Sequence, residues 1–127
     1  MNKITGIGGV FFKARNPKQL MEWYDQHLGL QFQHGYIQLK WADDPDNKNG
    51  STSLAIFKED SDYFSPGEKP FMINFRVSDL RSLLTELREK GVTIAGDMQE
   101  YDYGRFGWII DPEGNKIELW EPIESAS

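Results

Sequence analysis

Residues 103–122 read YGRFGWIIDPEGNKIELWEP. An apolar, aromatic run from Phe106 to Ile110 meets the turn sequence Asp111-Pro112-Glu113-Gly114-Asn115, and Lys116 to Trp120 resumes a strand. Pro112 presets φ for a type I turn and Gly114 suits the positive φ that follows, so the stretch predicts a β-hairpin. On its second strand Ile117 and Leu119 point to one face, and Lys116, Glu118 and Trp120 to the other. A carboxylate at Glu118, flanked by Ile, Leu and Trp, is expected only where that face is wet or serves a site.

The hairpin closes a longer pattern. Phe71 to Val77 reads as a strand. Leu80, Leu83, Leu84 and Leu87 make an amphipathic helix opened by Ser78 or Asp79 and ended at Gly91. Val92 to Ala95 and roughly Met98 to Asp102 precede the hairpin as strands. The first half runs the same way. Ile4 to Ala14 is a strand, and Asn16-Pro17 supplies an N-cap and a first-turn proline. Leu20, Tyr24 and Leu28 share a helix face, and Gly29 is its C-terminal glycine. Strands follow at about Gln31 to Gln33, Tyr36 to Trp41 and Thr52 to Phe57, with a polar hairpin loop at Asp43 to Gly50. Lys58 to Lys69 reads as a linker, and within it Asp60 to Gly67, which carries an aromatic pair, is either an ordinary connection or a lid. Gly29 and Gly91 mark equivalent helix ends 62 residues apart, and Val10, Phe12 and Ala14 align with Ile73, Phe75 and Val77 at a spacing of 63. A repeat of this size implies two similar modules packed together. The expectation is an α+β fold, a single domain over 1–127, with module 1 at about 1–60 and module 2 at about 70–122.

Composition narrows the partners. A formal charge of −6 argues against nucleic acid and membrane surfaces, which want a basic patch. There is no cysteine, hence no disulfide framework and no thiolate metal site. The first residues, MNKITGIGG, lack the apolar run of a signal peptide, and nothing approaches the roughly 20 apolar residues of a membrane span. A cytoplasmic protein is the expectation.

Two βαβββ modules in this length resemble the vicinal oxygen chelate superfamily, which includes glyoxalase, bleomycin-resistance proteins and extradiol dioxygenases. Gly104-Arg105-Phe106 followed by DPEGNKIELWEP, and NPKQLMEWYDQHLGL after the first strand, carry the resemblance. It implies curved half-barrels enclosing a small-molecule cavity, and a homodimer. In metal-dependent members a ligand sits on the first and last strand of each module, and Glu118 stands at the last such place. The resemblance puts the other three at Gly9, Ala55 and Met72. Glycine and alanine offer no donor, and methionine sulfur is a poor ligand for hard divalent ions. No metal and no other cofactor is therefore expected. His27, in the last helical turn, and His34, in a turn, are expected at the surface.

Strand parity proposes what lines the cavity instead. Met72, Asn74 and Arg76 share the face opposite Ile73, Phe75 and Val77, with Gly9, Phe11 and Lys13 as counterparts. Arg76 either pairs with a carboxylate structurally or fixes a ligand group. Arg105 either reaches a ligand anion or pairs with a surface acid. The aromatics Trp41, Tyr101, Tyr103, Phe106, Trp108 and Trp120 are core or interface by default, and two or three of them suit a pocket wall. The candidate ligand-binding set is Phe11, Trp41, Asn74, Arg76, Tyr103, Arg105 and Glu118, with Glu118 as the candidate catalytic group. Three functions remain open: a metal-free small-molecule-binding protein; a glyoxalase-like lyase, isomerase or dioxygenase using Glu118 as general base or metal ligand; or an interaction module whose Glu118 is a structural relic, sealed and hydrogen-bonded to Tyr, Trp or Arg inside the barrel.

Overall fold

A computed structural model describes residues 3–43 and 50–123. Strand β1 (Ile4–Ala14) leads to α1 (Pro17–Leu28), then β2 (Tyr36–Lys40), β3 (Ser51–Lys58) and β4 (Phe71–Val77). Helix α2 (Leu80–Glu89) precedes β5 (Thr93–Ile94), β6 (Gln99–Tyr101), β7 (Gly104–Ile110) and β8 (Lys116–Pro122). The strands form one open, curved, mixed sheet in the order β2-β3-β1-β4-β8-β7-β5, with β6 also on β7. Most of the loop expected over Asp43 to Gly50 lies outside the described residues.

The termini of both helices follow their sequence signals. Asn16 Oδ1 accepts from Gln19 N–H at α1, and Asp79 Oδ1, rather than Ser78, accepts from Ser82 N–H at α2. Gly29 and Gly91 both take positive φ, 69° and 83°, where each helix ends. In the β7–β8 hairpin Gly114 sits at φ 81°, and Asp111 accepts from the backbone N–H groups of Glu113 and Asn115. Four expected strands shorten, among them Met98 to Asp102, of which Gln99–Tyr101 is a strand. Gln31 to Gln33 leaves only a single bridge, Gln33 to Tyr36, because His34 and Gly35 both turn the chain at positive φ. Trp41 begins a one-turn 3-10 helix instead of ending β2. Only Thr93–Ile94 of the expected Val92–Ala95 strand pairs.

The sheet is continuous across the repeat. β1 and β4 pair antiparallel, and Val10 lies opposite Ile73, its own mate at a spacing of 63. Around that point the pairs exchange: Gly9 faces Asn74, and Phe11 faces Met72. The outer pairs obey the same spacing, with Phe11 beside Ala55 and Asn74 beside Glu118. One face of the second half is covered by α2, whose Leu80, Leu83 and Leu84 pack on Val77 and Leu119. Each leucine contributes about 1.5–3 kcal/mol of burial. The other face holds a second cluster of Phe11, Ala55, Phe64 and Met72. Phe64 comes from the linker between β3 and β4, so that segment is a packed part of the fold.

Candidate functional site

β4 inverts the usual pattern of a strand. Its apolar residues Phe71, Ile73 and Phe75 are exposed or half-buried, whereas Met72, Asn74 and Arg76 are buried. Asn74 forms part of the wall of a cavity of about 300 Å³. Both halves of the chain build that cavity. Phe11 comes from β1, Tyr36 and Gln38 from β2, Ser53, Ala55 and Phe57 from β3, and Asn74, Glu118 and Trp120 from β4 and β8. Tyr63 enters from the linker, and Tyr103 and Phe106 stand at the start of β7. A larger surface groove of about 740 Å³, between the start of α1 and the end of β3, contains none of the candidate residues.

Glu118 is only 1% exposed, and three donors converge on it. Asn74 Nδ2 donates to Oε1 at 2.6 Å, while Tyr63 Oη and Trp108 Nε1 donate to Oε2 at 2.5 and 2.8 Å. The linker, β4 and β7 are thereby tied to one carboxylate on β8. Burial pushes the Glu118 carboxyl above its ordinary value, and the bonds from Tyr63, Trp108 and Asn74 pull it partly back. Burial, then the charge of Glu118, raises Tyr63, so its phenol stays protonated and keeps donating. Lys116 is lowered by burial; its Nζ donates to Tyr63 O at 2.6 Å and lies over the Tyr63 and Trp108 rings.

The register fixes which residues flank Glu118. Asn74, and not Met72, lies beside it; Phe11, and not Gly9, lies beside Ala55. The repeat-related places on the cavity wall are therefore Phe11, Ala55, Asn74 and Glu118, all four of which line it. Gly9 and Met72 sit two residues away along their strands, and Met72 is packed under Phe64. The β1 register slips between Ile7 and Gly9, so Gly8 turns toward the cavity wall: a Cβ there would come within 1.9 Å of Asn74 Oδ1. A divalent cation, which the resemblance implies for many members, does not fit this set. Phe11 and Ala55 have no donor atom, and Asn74, Tyr63 and Trp108 turn hydrogens rather than lone pairs toward Glu118. Among the described residues no three Asp, Glu or His side chains gather in one place.

Of the candidate set, Phe11, Asn74, Tyr103 and Glu118 line the cavity. Three do not. Trp41 donates from Nε1 to Thr52 Oγ1 at 3.0 Å and turns its ring to Arg76. Arg76 lies between the rings of Trp41 and Trp120, at 5.0 and 5.3 Å, and donates to Ser51 O. Arg105 bonds Glu100 and Glu121, both at 2.5 Å, so it meets surface acids rather than the cavity. His27 packs against Trp23 at the surface with its ring tilted by 45°, and His34 is exposed as expected. The cavity residues that sequence reasoning did not assign to the site are Tyr36, Gln38, Ser53, Phe57 and Tyr63, the last within the segment read as a connection or a lid. Gln38 and Ser53 follow from extending the parity of Ala55 across β2 and β3. No periodicity signals Tyr63, which sits in a loop.

Comparison with known proteins follows this geometry. The model of a glyoxalase-like domain matches residues 9–120. A methylmalonyl-CoA epimerase from Mycobacterium tuberculosis superposes with a TM-score of 0.68 at 20% identity, covering 98% of this chain and 92% of that one. A Streptomyces coelicolor methylmalonyl-CoA epimerase variant in complex with 2-nitronate-propionyl-CoA gives 0.71 at 18% identity, covering 98% and 99%. A protein described as an NAD-dependent benzaldehyde dehydrogenase from Legionella pneumophila gives 0.59 at 14%, covering 91% and 98%. At these identities the likeness shows the fold. No curated protein matches the chain significantly.

Proposed function

The chain belongs to the glyoxalase-like domain family, and on that premise we propose that it is a metal-free small-molecule-binding protein whose ligand sits in the 300 Å³ cavity. The observation that carries this reading is the state of Glu118. Its carboxylate accepts from three protein donors that brace the cavity wall, which leaves no set of free ligand groups around it for a metal. The surrounding space is lined mainly by aromatic rings, the surface that small-molecule pockets favour. Tyr103, 60% exposed, and Tyr36, 43% exposed, stand at the mouth, so a ligand has a route in from solvent. The test is metal stoichiometry. Chelator-stripped protein is incubated with nickel, zinc, manganese or iron(II), freed of excess, and assayed for bound metal beside Glu118→Ala. Well under one equivalent in both chains is expected. One equivalent in the native chain and none in the variant would overturn the reading.

One observation favours a second reading, a metal-free enzyme with Glu118 as general base. Burial raises the carboxyl above its ordinary value, as a base working near neutral pH requires. The epimerases lend this chain their fold, and their substrates do not transfer at 20% identity or less. On the binding reading, affinity is the property that Glu118 supports. On the catalytic reading, Glu118→Gln abolishes turnover while leaving ligand affinity nearly intact.

A further inference from the structure

The ligand class follows from what the cavity wall offers and withholds, given the binding reading above. Among the described residues lining it, Glu118 is the only charged one. The nearby cations are engaged elsewhere. Lys116 Nζ donates to Tyr63 O, Arg105 bonds Glu100 and Glu121, and Arg76 lies between two indoles with Ser51 O as an acceptor. An anionic ligand would meet a buried carboxylate and, among the described residues, no lining cation.

The donors beside Glu118 are already used by its carboxylate, and those left on the wall, on Tyr36, Gln38, Ser53 and Tyr103, are uncharged. A carboxylate offers about four lone-pair sites. Oε2 accepts two bonds and Oε1 only one, from Asn74. Asn74 Oδ1 is buried with no hydrogen-bond partner. That oxygen is turned against Gly8, so the acceptor with unused capacity on the cavity wall is Glu118 Oε1.

Two groups of rings line the space above it. Phe57 stacks with Tyr63 at 5.3 Å and contacts Phe11 at 5.6 Å; Phe106 stacks with Trp120 at 6.1 Å and contacts Tyr103 at 6.0 Å. Ring faces bind planar systems and attract cations through their quadrupole. A volume near 300 Å³ is at the small end of ligand pockets, so the ligand is compact.

We infer that the cavity selects a compact, planar nitrogen heterocycle that bears N–H donors and is neutral or singly cationic, and that it rejects anions of the same shape. An N–H group goes to Glu118 Oε1, and the ring system lies against the aromatic walls.

The probes are 2-aminoquinoline and 2-naphthoate, matched in size and opposite in polar head. Affinities are measured by titration calorimetry on the full chain. The indole N–H signals of Trp108 and Trp23 are followed by NMR, the first beside the cavity and the second exposed on α1. The expected result is that 2-aminoquinoline binds about tenfold or more tightly than 2-naphthoate, shifts Trp108 and leaves Trp23 unmoved. Glu118→Gln is expected to erase that preference; if this variant does not fold, the wild-type ratio decides alone. Equal or tighter binding of 2-naphthoate would overturn the ligand class and leave the binding reading standing. Binding that moves Trp23 but not Trp108 would overturn the placement. Failure of both probes to bind at millimolar concentration would overturn the class and the binding reading together.

Discussion

Gly8→Ala tests the architecture of the cavity wall at its tightest contact. A Cβ at position 8 would stand 1.9 Å from Asn74 Oδ1 and 3.0 Å from Trp120 Cε3. The backbone pairs on both sides of the slip, so Asn74 is the group that yields. Its displacement breaks the 2.6 Å bond from Nδ2 to Glu118 Oε1. Losing a buried hydrogen bond to a carboxylate costs about 1.5–3 kcal/mol, and forcing a packed side chain aside about 1–3 kcal/mol. The expected destabilisation is about 3–5 kcal/mol, a large part of a small domain's stability. The assay is urea unfolding, followed by tryptophan fluorescence, of Gly8→Ala, Asn74→Ala and the double variant. Asn74→Ala alone should cost about 2–3 kcal/mol. Once the Asn74 side chain is absent the main obstacle is gone, so adding Gly8→Ala should cost only about 1 kcal/mol more, against Trp120. Should Gly8→Ala alone fail to fold, restored folding in the double variant reads the same coupling. Costs that add to within about 0.5 kcal/mol would refute the reasoning, because independent sites behave that way.

Tyr63→Phe removes one of the two donors to Glu118 Oε2 and keeps the ring. Tyr63 is partly exposed, so the loss is set at about 1 kcal/mol, and amide exchange in the linker, at Ser65 and Gly67 for example, should speed up about fivefold. Unchanged exchange would show that the phenol does not hold the linker down. A second expectation concerns pH. The folded Glu118 carboxyl is raised above its ordinary 4.5, so the folded chain binds this proton more tightly than the unfolded chain does. The stability it contributes is complete below that ordinary value and is lost as pH rises through the folded value. Relative to Glu118→Gln, the wild type should therefore lose stability as pH climbs from about 4 toward 8. Urea midpoints of the two chains that keep a constant difference across that range would contradict the burial argument.

Much of the architecture was legible because it is written locally. Asn16, Asp79, Gly29, Gly91 and Gly114 act on their immediate neighbours, through caps and positive φ, and the helix ends and the hairpin followed from them. The short strands were less legible. Thr93–Ile94 and the Gln33 bridge depend on partners elsewhere in the sheet, and a pairing that small leaves no period to count. At the cavity, parity along β4 and β8 brought out Asn74 and Glu118, and along β1 it brought out Phe11. It also suggested Arg76, whose long side chain reaches past the cavity to Ser51 and two indoles.

By itself the sequence determined the repeat of 63, the alternation that sets a carboxylate on an apolar strand, and the caps that bound both helices. These are properties of residues a few positions apart, or of one strand's two faces. The tertiary structure decided who meets whom across the sheet. The parallel registers of β1 with β3 and of β4 with β8 set Phe11 and Asn74, rather than Gly9 and Met72, beside Ala55 and Glu118. Packing of Phe64 brought Tyr63, from 55 residues away in the chain, onto the carboxylate. Register and loop closure are long-range: a shift of one residue exchanges the faces of a strand, and the chain reveals the choice only when its partners are in place.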